Sequence, residues 1–299
     1  MAQTIKDILR KKVGDDEHLE EALSYYQQYQ TSSPFAVIKI SGSCIDSSLD
    51  VITKDLSDLH ELGLLPVVTY GFGDMLSEKL AKEGIIAPFI AGERRTDAAA
   101  MKHVEDIAER VSNRIVYGIG KEKARLLDYE SRILYAQDKT EEGYEEHNGD
   151  ITHLFFEPIQ ETLQDGYIPI VSPIGTSEDG KKNYNINSAD VGARLAKELK
   201  TVKYVLLTAT NGVLDKTGKT IDTLELNDDY QRLVDDGIIK DGMLKNVREA
   251  HSVLSCANNL ESVQIVRPSN LFYELFTKKG AGTYITRAKA RNLVSTQHP

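Results

Sequence analysis

A lysine within an apolar segment is the first residue of this sequence that could do chemistry. Lys39 interrupts the run FAVIKI at residues 35–40, and the small turn Ser41-Gly42-Ser43 follows. The branched apolar residues favour a buried strand. A buried ammonium is unfavourable unless it meets an anion at the end of the strand, so Lys39 is a candidate phosphate ligand. The alternative is an edge-strand lysine whose amine extends into solvent.

The segments after Lys39 predict a parallel α/β sheet that would position it. Apolar residues line one face of a predicted helix between residues 45 and 62, and LLPVVTY at residues 64–70 predicts a second buried strand. That strand ends on Gly71-Phe72-Gly73. Ligands of such sheets bind beyond the carboxyl ends of the strands, so both glycine turns are expected at the binding edge.

Other predicted helix starts carry side chains that suit anionic ligands. Arg94 and Arg95 precede one such start and could clamp a carboxylate or a phosphate. Asn185 and Asn187 precede another, where amides and the helix end offer hydrogen bonds and positive potential. The segment KDGMLK at residues 240–245 forms a third predicted helix start, which contains a glycine and two lysines. Surface charge and ordinary helix capping are the alternative interpretations.

Motifs of several other enzyme classes are missing. Leu76 stands where a dinucleotide-binding fingerprint beginning at Gly71 needs a small residue, and neither a Walker P-loop nor a G-x-S-x-G nucleophile motif occurs. A sheet edge with glycine turns and two lysines is nevertheless adequate for phosphoryl transfer. That reaction depends on positioning and charge neutralisation more than on a covalent protein group.

Composition excludes several classes of partner and site. The 299 residues are 40% hydrophobic and carry a formal net charge of −10, which argues against a nucleic-acid-binding surface. Two cysteines and no H-x-x-x-H pair give no metal-ligand spacing, so no protein-held metal is expected. No apolar run approaches the roughly 20 residues of a membrane helix, and we expect a cytoplasmic protein without a membrane partner.

Local patterns divide the chain into four parts. Residues 1–30 predict a helical arm that packs against the body or a second subunit, with a loose extension as the alternative. Residues 31–180 and 181–290 form two lobes, separated at a polar turn, and residues 291–299 are a tail. The region from 118 to 150, with the acidic run 141–146, is interpreted as loops and short strands.

These segments together resemble the amino acid kinase family, and within it the N-acetylglutamate kinases and the kinase domain of bifunctional N-acetylglutamate synthase/kinases. The resemblance extends from the N-terminal helix through FAVIKISGS, GFG, GERRTD, NYNIN and LLTATNGVLD to the segment RPSNLFYELFTKKGAGTYI. It implies a three-layer α/β/α sandwich with a mainly parallel central sheet, an acceptor lobe at 31–180 and a nucleotide lobe at 181–290. It also implies ATP-dependent phosphorylation of the γ-carboxylate of N-acetyl-L-glutamate in arginine biosynthesis, with Mg²⁺, and a homodimer or higher oligomer.

The resemblance assigns a role to each matching residue. The residues with a catalytic role are Lys39, Lys245 and Asp190. Those expected to bind the acylamino acid are Phe72, Gly73, Arg94, Asn185 and Asn187. Those expected to bind ATP are Gly42, Thr208, Thr210, Gly212, Leu214, Gly242 and Met243. An arginine effector site is implied around Glu274, Gly280 and Gly282.

Three positions depart from the family pattern. Ser41 replaces the first of two glycines. Ala189 stands where the family has an aspartate, with Asp190 one place later, and Asn246 stands where it has the second lysine, with Lys245 one place earlier. The departures at Ala189 and Asn246 motivate one alternative, a catalytically weak regulatory domain that binds arginine and controls an acetyltransferase domain or partner. The other alternative is a kinase for another small acylamino acid, which would differ in the pocket around Phe72 and Arg94.

Overall fold

Helices and strands alternate along most of the chain. The computed structural model describes residues 2–14, 16–32, 34–90, 93–139, 147–226 and 228–287. Its helices are α1 (Ala2–Val13), α2 (Asp16–Gln30), α3 (Gly42–Ser47), α4 (Leu49–Glu61), α5 (Gly73–Glu83), α6 (Ala98–Ile119), α7 (Glu157–Gln164), α8 (Ser188–Leu199), α9 (Asp228–Asp235), α10 (Asp241–Cys256) and α11 (Leu271–Phe276). Short 3₁₀ turns lie at Tyr129–Ser131 and Pro268–Asn270. In these ranges no helix combines the length and apolarity needed to cross a bilayer.

The strands form a large sheet, a small sheet and a hairpin. They are β1 (Ala36–Ile40), β2 (Val67–Tyr70), β3 (Phe89–Ile90), β4 (Glu93–Arg94), β5 (Ala124–Leu127), β6 (Leu134–Asp138), β7 (Gly149–Leu154), β8 (Ile168–Val171), β9 (Ile174–Thr176), β10 (Asn183–Asn185), β11 (Lys203–Leu207), β12 (Thr223–Leu226), β13 (Ser262–Val266) and β14 (Thr283–Arg287). The large sheet has the order β12-β14-β13-β11-β1-β2-β8-β5 and is parallel except between β13 and β14. The predicted mainly parallel sheet is therefore confirmed.

Helices cover both faces of the large sheet. Successive residues of β1 point to opposite faces, so Ile38 and Ile40 join one buried cluster and Val37 joins the other. The first cluster includes the apolar faces of α2, α4 and α6, and the second includes those of α8 and α10. This arrangement is the predicted three-layer sandwich, with the two apolar layers on either side of the sheet.

Both predicted lobes contribute strands to one sheet. β2, β5 and β8 come from residues before 180, whereas β11 to β14 come from residues after it, and β1 lies between the two sets. The predicted boundary at residue 180 falls in the turn between β9 and β10, which pair with each other. The two-lobe division thus remains a prediction about ligand binding.

The N-terminal arm packs on the body of the protein. Tyr29 in α2 is buried, its ring stacks on Phe35 at 4.7 Å between centroids, and its hydroxyl donates to the carbonyl of Leu275 at 2.5 Å. Lys12 in α1 forms ion pairs with Asp55 and Asp58 of α4. These contacts join both helices of the arm to the body of the protein, and the division of the chain at residue 30 stays a prediction.

The sequence did not locate the two edge strands of the large sheet. β5 lies within the region interpreted as loops and short strands and pairs with β8, and β12 pairs with β14 at the other edge. An edge strand has a neighbour on one side, and part of its surface faces water, so its sequence is less apolar than that of a central strand. Arg125 in β5 is exposed in this way. The acidic run 141–146 and the tail 291–299 lie outside the described residues.

The cap of α6 gives a stability prediction. The Asp97 side chain accepts a hydrogen bond from the backbone N–H of Ala100 at 2.8 Å. Asp97→Ala leaves that group without its cap and is expected to lower the free energy of unfolding by about 1 kcal/mol in urea titrations. Asp106→Ala is the matched control, because Asp106 is an exposed aspartate of the same helix. Equal losses in the two variants would contradict the capping role.

Candidate functional site

A cavity of about 590 Å³ lies at the carboxyl ends of the central strands. β11, β1 and β2 are neighbours and run in the same direction, so the loops that follow them lie side by side. These loops, at residues 41–43, 71–74 and 208–212, supply much of the cavity wall. The position agrees with the general location of ligand sites in parallel sheets.

Glycines allow two of these loops to touch. A Cβ atom at Gly42 would lie 3.3 Å from the carbonyl oxygen of Gly71, and one at Gly71 would lie 3.1 Å from the Ser188 hydroxyl oxygen. The glycine pair therefore lets the β1 loop, the β2 loop and the start of α8 approach closely. The N-terminal ends of α5, α8 and α10 all reach the cavity wall, and each adds positive potential there.

Lys39 lies at the centre of the sheet and is only 4% exposed. Its ammonium contacts the carboxylate of Glu249 in α10, with 2.5 Å between Nζ and Oε2. The other carboxylate oxygen accepts a hydrogen bond from the Tyr204 hydroxyl at 3.0 Å. Burial and the Glu249 charge raise the pKa of Tyr204 well above its ordinary value, so the phenol stays protonated and can donate. The edge-strand alternative for Lys39 is wrong.

Arg94 is fixed at the opposite side of the cavity. Its guanidinium donates to the carbonyl of Ala87 at 3.1 Å, to the carbonyl of Gly73 at 3.3 Å and to the Ser77 hydroxyl, and its Cζ lies 4.4 Å from the centre of the Phe89 ring. Burial lowers the pKa of the guanidinium. These contacts hold a cation with a fork of N–H donors at the wall, the geometry that binds a carboxylate.

An asparagine that sequence reasoning missed supports Arg94. The buried Asn148 donates to the backbone carbonyl of Arg94 at 2.7 Å and accepts from the N–H of Thr96 at 2.9 Å. Asn185 donates to the Thr96 hydroxyl at 2.9 Å and also lines the cavity. Asn148 follows directly on the polar region 140–147 and resembles an ordinary loop residue, so no sequence signal could have identified it.

The predicted ATP-binding residues line the cavity as well, and all but Gly42 lie at its β11 and α10 end. They are Gly42, Thr208, Thr210, Gly212, Leu214, Gly242 and Met243. The Thr208 hydroxyl donates to the carbonyl of Thr210 at 2.8 Å, which holds the loop after β11 in a tight turn. Lys240 and Asn246, which were not among the predicted site residues, also line this end. Lys245 lines it as well and is exposed at the rim.

Asn187 and Asp190 belong to the first turn of α8 but face different surroundings. Asn187 caps the helix by accepting from the N–H of Ala189 at 3.2 Å, and it lines the main cavity. Asp190 instead lines a second cavity of about 240 Å³, together with Arg194 and Lys197. The carboxylate that contacts Lys39 belongs to Glu249 of α10, and the catalytic role of Asp190 stays a prediction.

The residues predicted for an effector lie together, away from the main cavity. Glu274 in α11 is buried, and its Oε2 accepts from the N–H groups of Ala281 and Gly282 at 2.8 and 2.9 Å. Within the described ranges, its Oε1 has no hydrogen-bond partner. Gly280 has φ +61°, and a Cβ there would lie 2.9 Å from the same carboxylate. The structure thus brings Glu274, Gly280 and Gly282 into one cluster.

Charge in the main cavity is strongly asymmetric. Among its described lining residues four are cationic, namely Lys39, Arg94, Lys240 and Lys245, and only Asp74 is acidic. No lining residue among them is a histidine. The arrangement can hold two anionic ligands next to each other.

Comparisons with known proteins agree with this geometry. Residues 34–263 match the Amino acid kinase family. The acetylglutamate kinase of Aquifex aeolicus is 31% identical over 295 residues, which cover 90% of this chain and 96% of that protein. The acetylglutamate kinase of Xanthomonas campestris is also 31% identical, over 255 residues that cover 85% of this chain, and the chain spans 59% of that longer relative.

A solved structure shows the same fold. The N-acetylglutamate synthase of Neisseria gonorrhoeae, complexed with coenzyme A and N-acetyl-glutamate, superposes with a TM-score of 0.77 at 24% identity. The superposition covers 92% of this chain and 65% of the synthase chain. The predicted fold class is confirmed by this agreement.

The pair of Lys39 and Glu249 gives a second stability prediction. Lys39→Met leaves a buried carboxylate without its cation and is expected to lower the free energy of unfolding by about 3 kcal/mol. The double variant Lys39→Met/Glu249→Met removes both charges and is expected to be within about 1 kcal/mol of the wild type. Urea unfolding of the two single variants and the double variant measures the coupling. Additive losses would contradict a direct pair.

Proposed function

The chain belongs to the amino acid kinase family, and from this premise we propose that it transfers the γ-phosphoryl group of ATP to the γ-carboxylate of N-acetyl-L-glutamate. The product is an acyl phosphate, formed with ADP, and the reaction is a step of arginine biosynthesis. The relatives named acetylglutamate kinase, at 31% identity, support this choice of substrate. The corresponding enzyme class is the phosphotransferases with a carboxyl group as acceptor, EC 2.7.2.8.

The charge asymmetry of the cavity is the observation that carries the proposal. A carboxylate acceptor is ionised at neutral pH, so its oxygen attacks phosphorus without losing a proton. The new bond joins that oxygen to the γ-phosphorus, the bond from phosphorus to the β-phosphate oxygen breaks, and ADP leaves with that electron pair. A general base is not needed, whereas cations that hold two anions together are. Four cations and one carboxylate line the cavity in the described residues.

The proposal gives each end of the cavity a role. Arg94 pairs with the α-carboxylate of the acylamino acid, and Asn185, Asn187, Phe72 and Gly73 border the same ligand. Lys39 and Lys245 neutralise the transferring phosphoryl group, and the backbone of Gly42 donates to it. The loop after β11 and the start of α10 border the nucleotide. These roles are predictions for residues that all line one cavity.

Magnesium is proposed to enter with the nucleotide. Within the described ranges, no group of three or more His, Cys, Asp and Glu side chains is arranged to hold a metal ion. The oxygens of the triphosphate and water are the ligands that Mg²⁺ prefers in such sites. When bound, the ion offsets part of the negative charge of the phosphates.

Trapping of the acyl phosphate with hydroxylamine tests the proposed reaction. The purified chain with Mg-ATP and N-acetylglutamate is expected to give the hydroxamate, and Lys39→Ala is expected to lose most of it. No product from N-acetylglutamate would refute the proposed substrate. Product from another acylamino acid, such as N-acetylaspartate, would instead support the alternative kinase.

Substitution of Arg94 tests the acceptor site. Arg94→Ala removes the fork of donors and is expected to raise KM for N-acetylglutamate by roughly 10- to 100-fold, the value of a charged hydrogen bond, with a smaller effect on KM for ATP. Arg125→Ala is the matched control because Arg125 is an exposed arginine paired with Asp165. A KM for the acceptor that does not change in Arg94→Ala would place the carboxylate elsewhere.

A regulatory function is the second candidate, and the buried Glu274 favours it. A guanidinium could donate to the Oε1 atom that has no partner among the described residues and stack on nearby tyrosines. Lys203 is already in this cluster, with Nζ 5.5 Å from the Tyr25 ring centre and 5.8 Å from that of Tyr284. Burial lowers the pKa of Lys203, and the negative charge of Glu274 opposes that shift.

Calorimetric titration tests the effector site. L-arginine is expected to bind the wild type, and Glu274→Gln is expected to weaken that binding at least tenfold, because it removes the charge that attracts a guanidinium. Glu61→Gln is the control, because Glu61 is paired with Lys123 and lies outside this cluster. No heat of binding with arginine would refute the effector site without touching the kinase proposal.

Partners and location remain predictions. An acetyltransferase domain or partner is proposed because a longer relative matches this chain and a synthase shares its fold. A homodimer or higher oligomer is proposed from the family resemblance alone. A cytoplasmic location is proposed because Cys44 and Cys256 are both free thiols.

A further inference from the structure

A chain of buried polar groups lies behind Lys39, on the side away from the cavity. The Glu249 side chain is 1% exposed and that of Lys39 is 5% exposed. Lys39 lines the cavity, whereas Glu249 does not. Glu249 therefore acts on a cavity ligand only through Lys39.

The register of the sheet places the side chains of Lys39 and Tyr204 on the face that α10 covers. Val37 in β1 pairs with Tyr204 in β11, and Lys39 is two residues further along β1, so Lys39 and Tyr204 point to the same face of the sheet. α10 covers that face and carries Glu249. The lysine and the tyrosine thus reach the same carboxylate from adjacent strands.

The two oxygens of Glu249 are used separately. Oε2 lies 2.5 Å from Lys39 Nζ, and Oε1 accepts from the Tyr204 hydroxyl at 3.0 Å. A carboxylate held at both oxygens cannot rotate away from either partner. Its orientation therefore fixes the position of the ammonium.

A glycine in α8 makes room for this arrangement. A Cβ atom at Gly192 would lie 2.2 Å from the Tyr204 hydroxyl oxygen. Any larger residue at that position would push the phenol off its place beside Glu249. The space for Tyr204 is consequently built into the helix that packs next to α10.

We propose that Glu249 is a positioning residue that fixes the ammonium of Lys39 at the phosphate end of the cavity, and that Tyr204 fixes Glu249. The inference rests on the proposed kinase function for its kinetic consequence. Misplacement of a charge-neutralising group by about 1 Å costs roughly 100-fold in rate. Loss of the Glu249 charge should therefore lower kcat while the acceptor still binds.

Steady-state kinetics test the inference. Glu249→Gln keeps the shape of the side chain and is expected to lower kcat about 100-fold, with KM for N-acetylglutamate within twofold of the wild type. Glu198→Gln is the matched control, because Glu198 is paired with Arg194 on the neighbouring helix and does not contact Lys39. A kcat for Glu249→Gln within threefold of the wild type would overturn the proposal.

A milder variant covers the case in which Glu249→Gln does not fold. Tyr204→Phe removes one hydroxyl and leaves the ion pair, and it is expected to lower kcat three- to tenfold with KM for the acceptor unchanged. A decrease in kcat of less than threefold in Tyr204→Phe overturns the role of the tyrosine. Gly192→Ala is expected to reproduce the Tyr204→Phe effect, because its methyl group displaces the phenol.

A measurement without turnover separates this inference from the kinase proposal. In ¹⁵N-lysine NMR spectra an ammonium that is buried and paired gives a sharp side-chain signal, which Lys39→Met assigns by its loss. We expect the signal in the wild type and in Glu198→Gln, and its loss in Glu249→Gln. If the wild type forms no acyl phosphate, the proposed function fails. The expected NMR signals would then still support an ammonium of Lys39 that is fixed by Glu249. A signal that is unchanged in Glu249→Gln overturns the inference under either outcome.

Discussion

The need to keep a positive charge inside a parallel sheet constrains much of this structure. Lys39 lies on the central strand, where both faces are covered by helices, and only the end of the strand opens to the cavity. An ammonium in such a place is stable only beside a carboxylate with well-satisfied oxygens. α10 must therefore pack with Glu249 directed at β1, and α8 must leave space for Tyr204. One charge pair thus connects two helices and two strands.

Sequence reasoning identified the parts of this system that leave a local signal. A lysine in an apolar run, glycines at strand ends, an arginine before a helix and asparagines at a helix start are visible within a few residues. The structure brings Lys39, Gly42, Arg94, Asn185 and Asn187 to one cavity. The central strands were found because strands buried on both faces are almost purely apolar.

The missed features depend on contacts between distant residues. Glu249 lies 210 residues from Lys39 in the chain, and a glutamate in a helix is ordinarily a surface residue. One sign was available, since Glu249 falls among Val247, Ala250 and Val253 on the buried side of α10. The sequence could not show which cavity Asp190 faces for the same reason. A shift by one residue turns a side chain by about 100° around a helix, and only packing decides which way it faces.

The order of the three central strands also sets the scale of the site. The loop after β2 carries residues proposed to border the acceptor, the loop after β11 carries residues proposed to border the nucleotide, and β1 lies between the two loops. Hydrogen-bonded strands are about 4.8 Å apart, so the two loops stand roughly 10 Å from each other on a shared rigid frame. That spacing does not depend on any side chain or loop sequence. The sheet therefore fixes the distance between the two loops. Changes in loop sequence can alter which ligands the loops select, while the distance between the two proposed ligand sites stays constant.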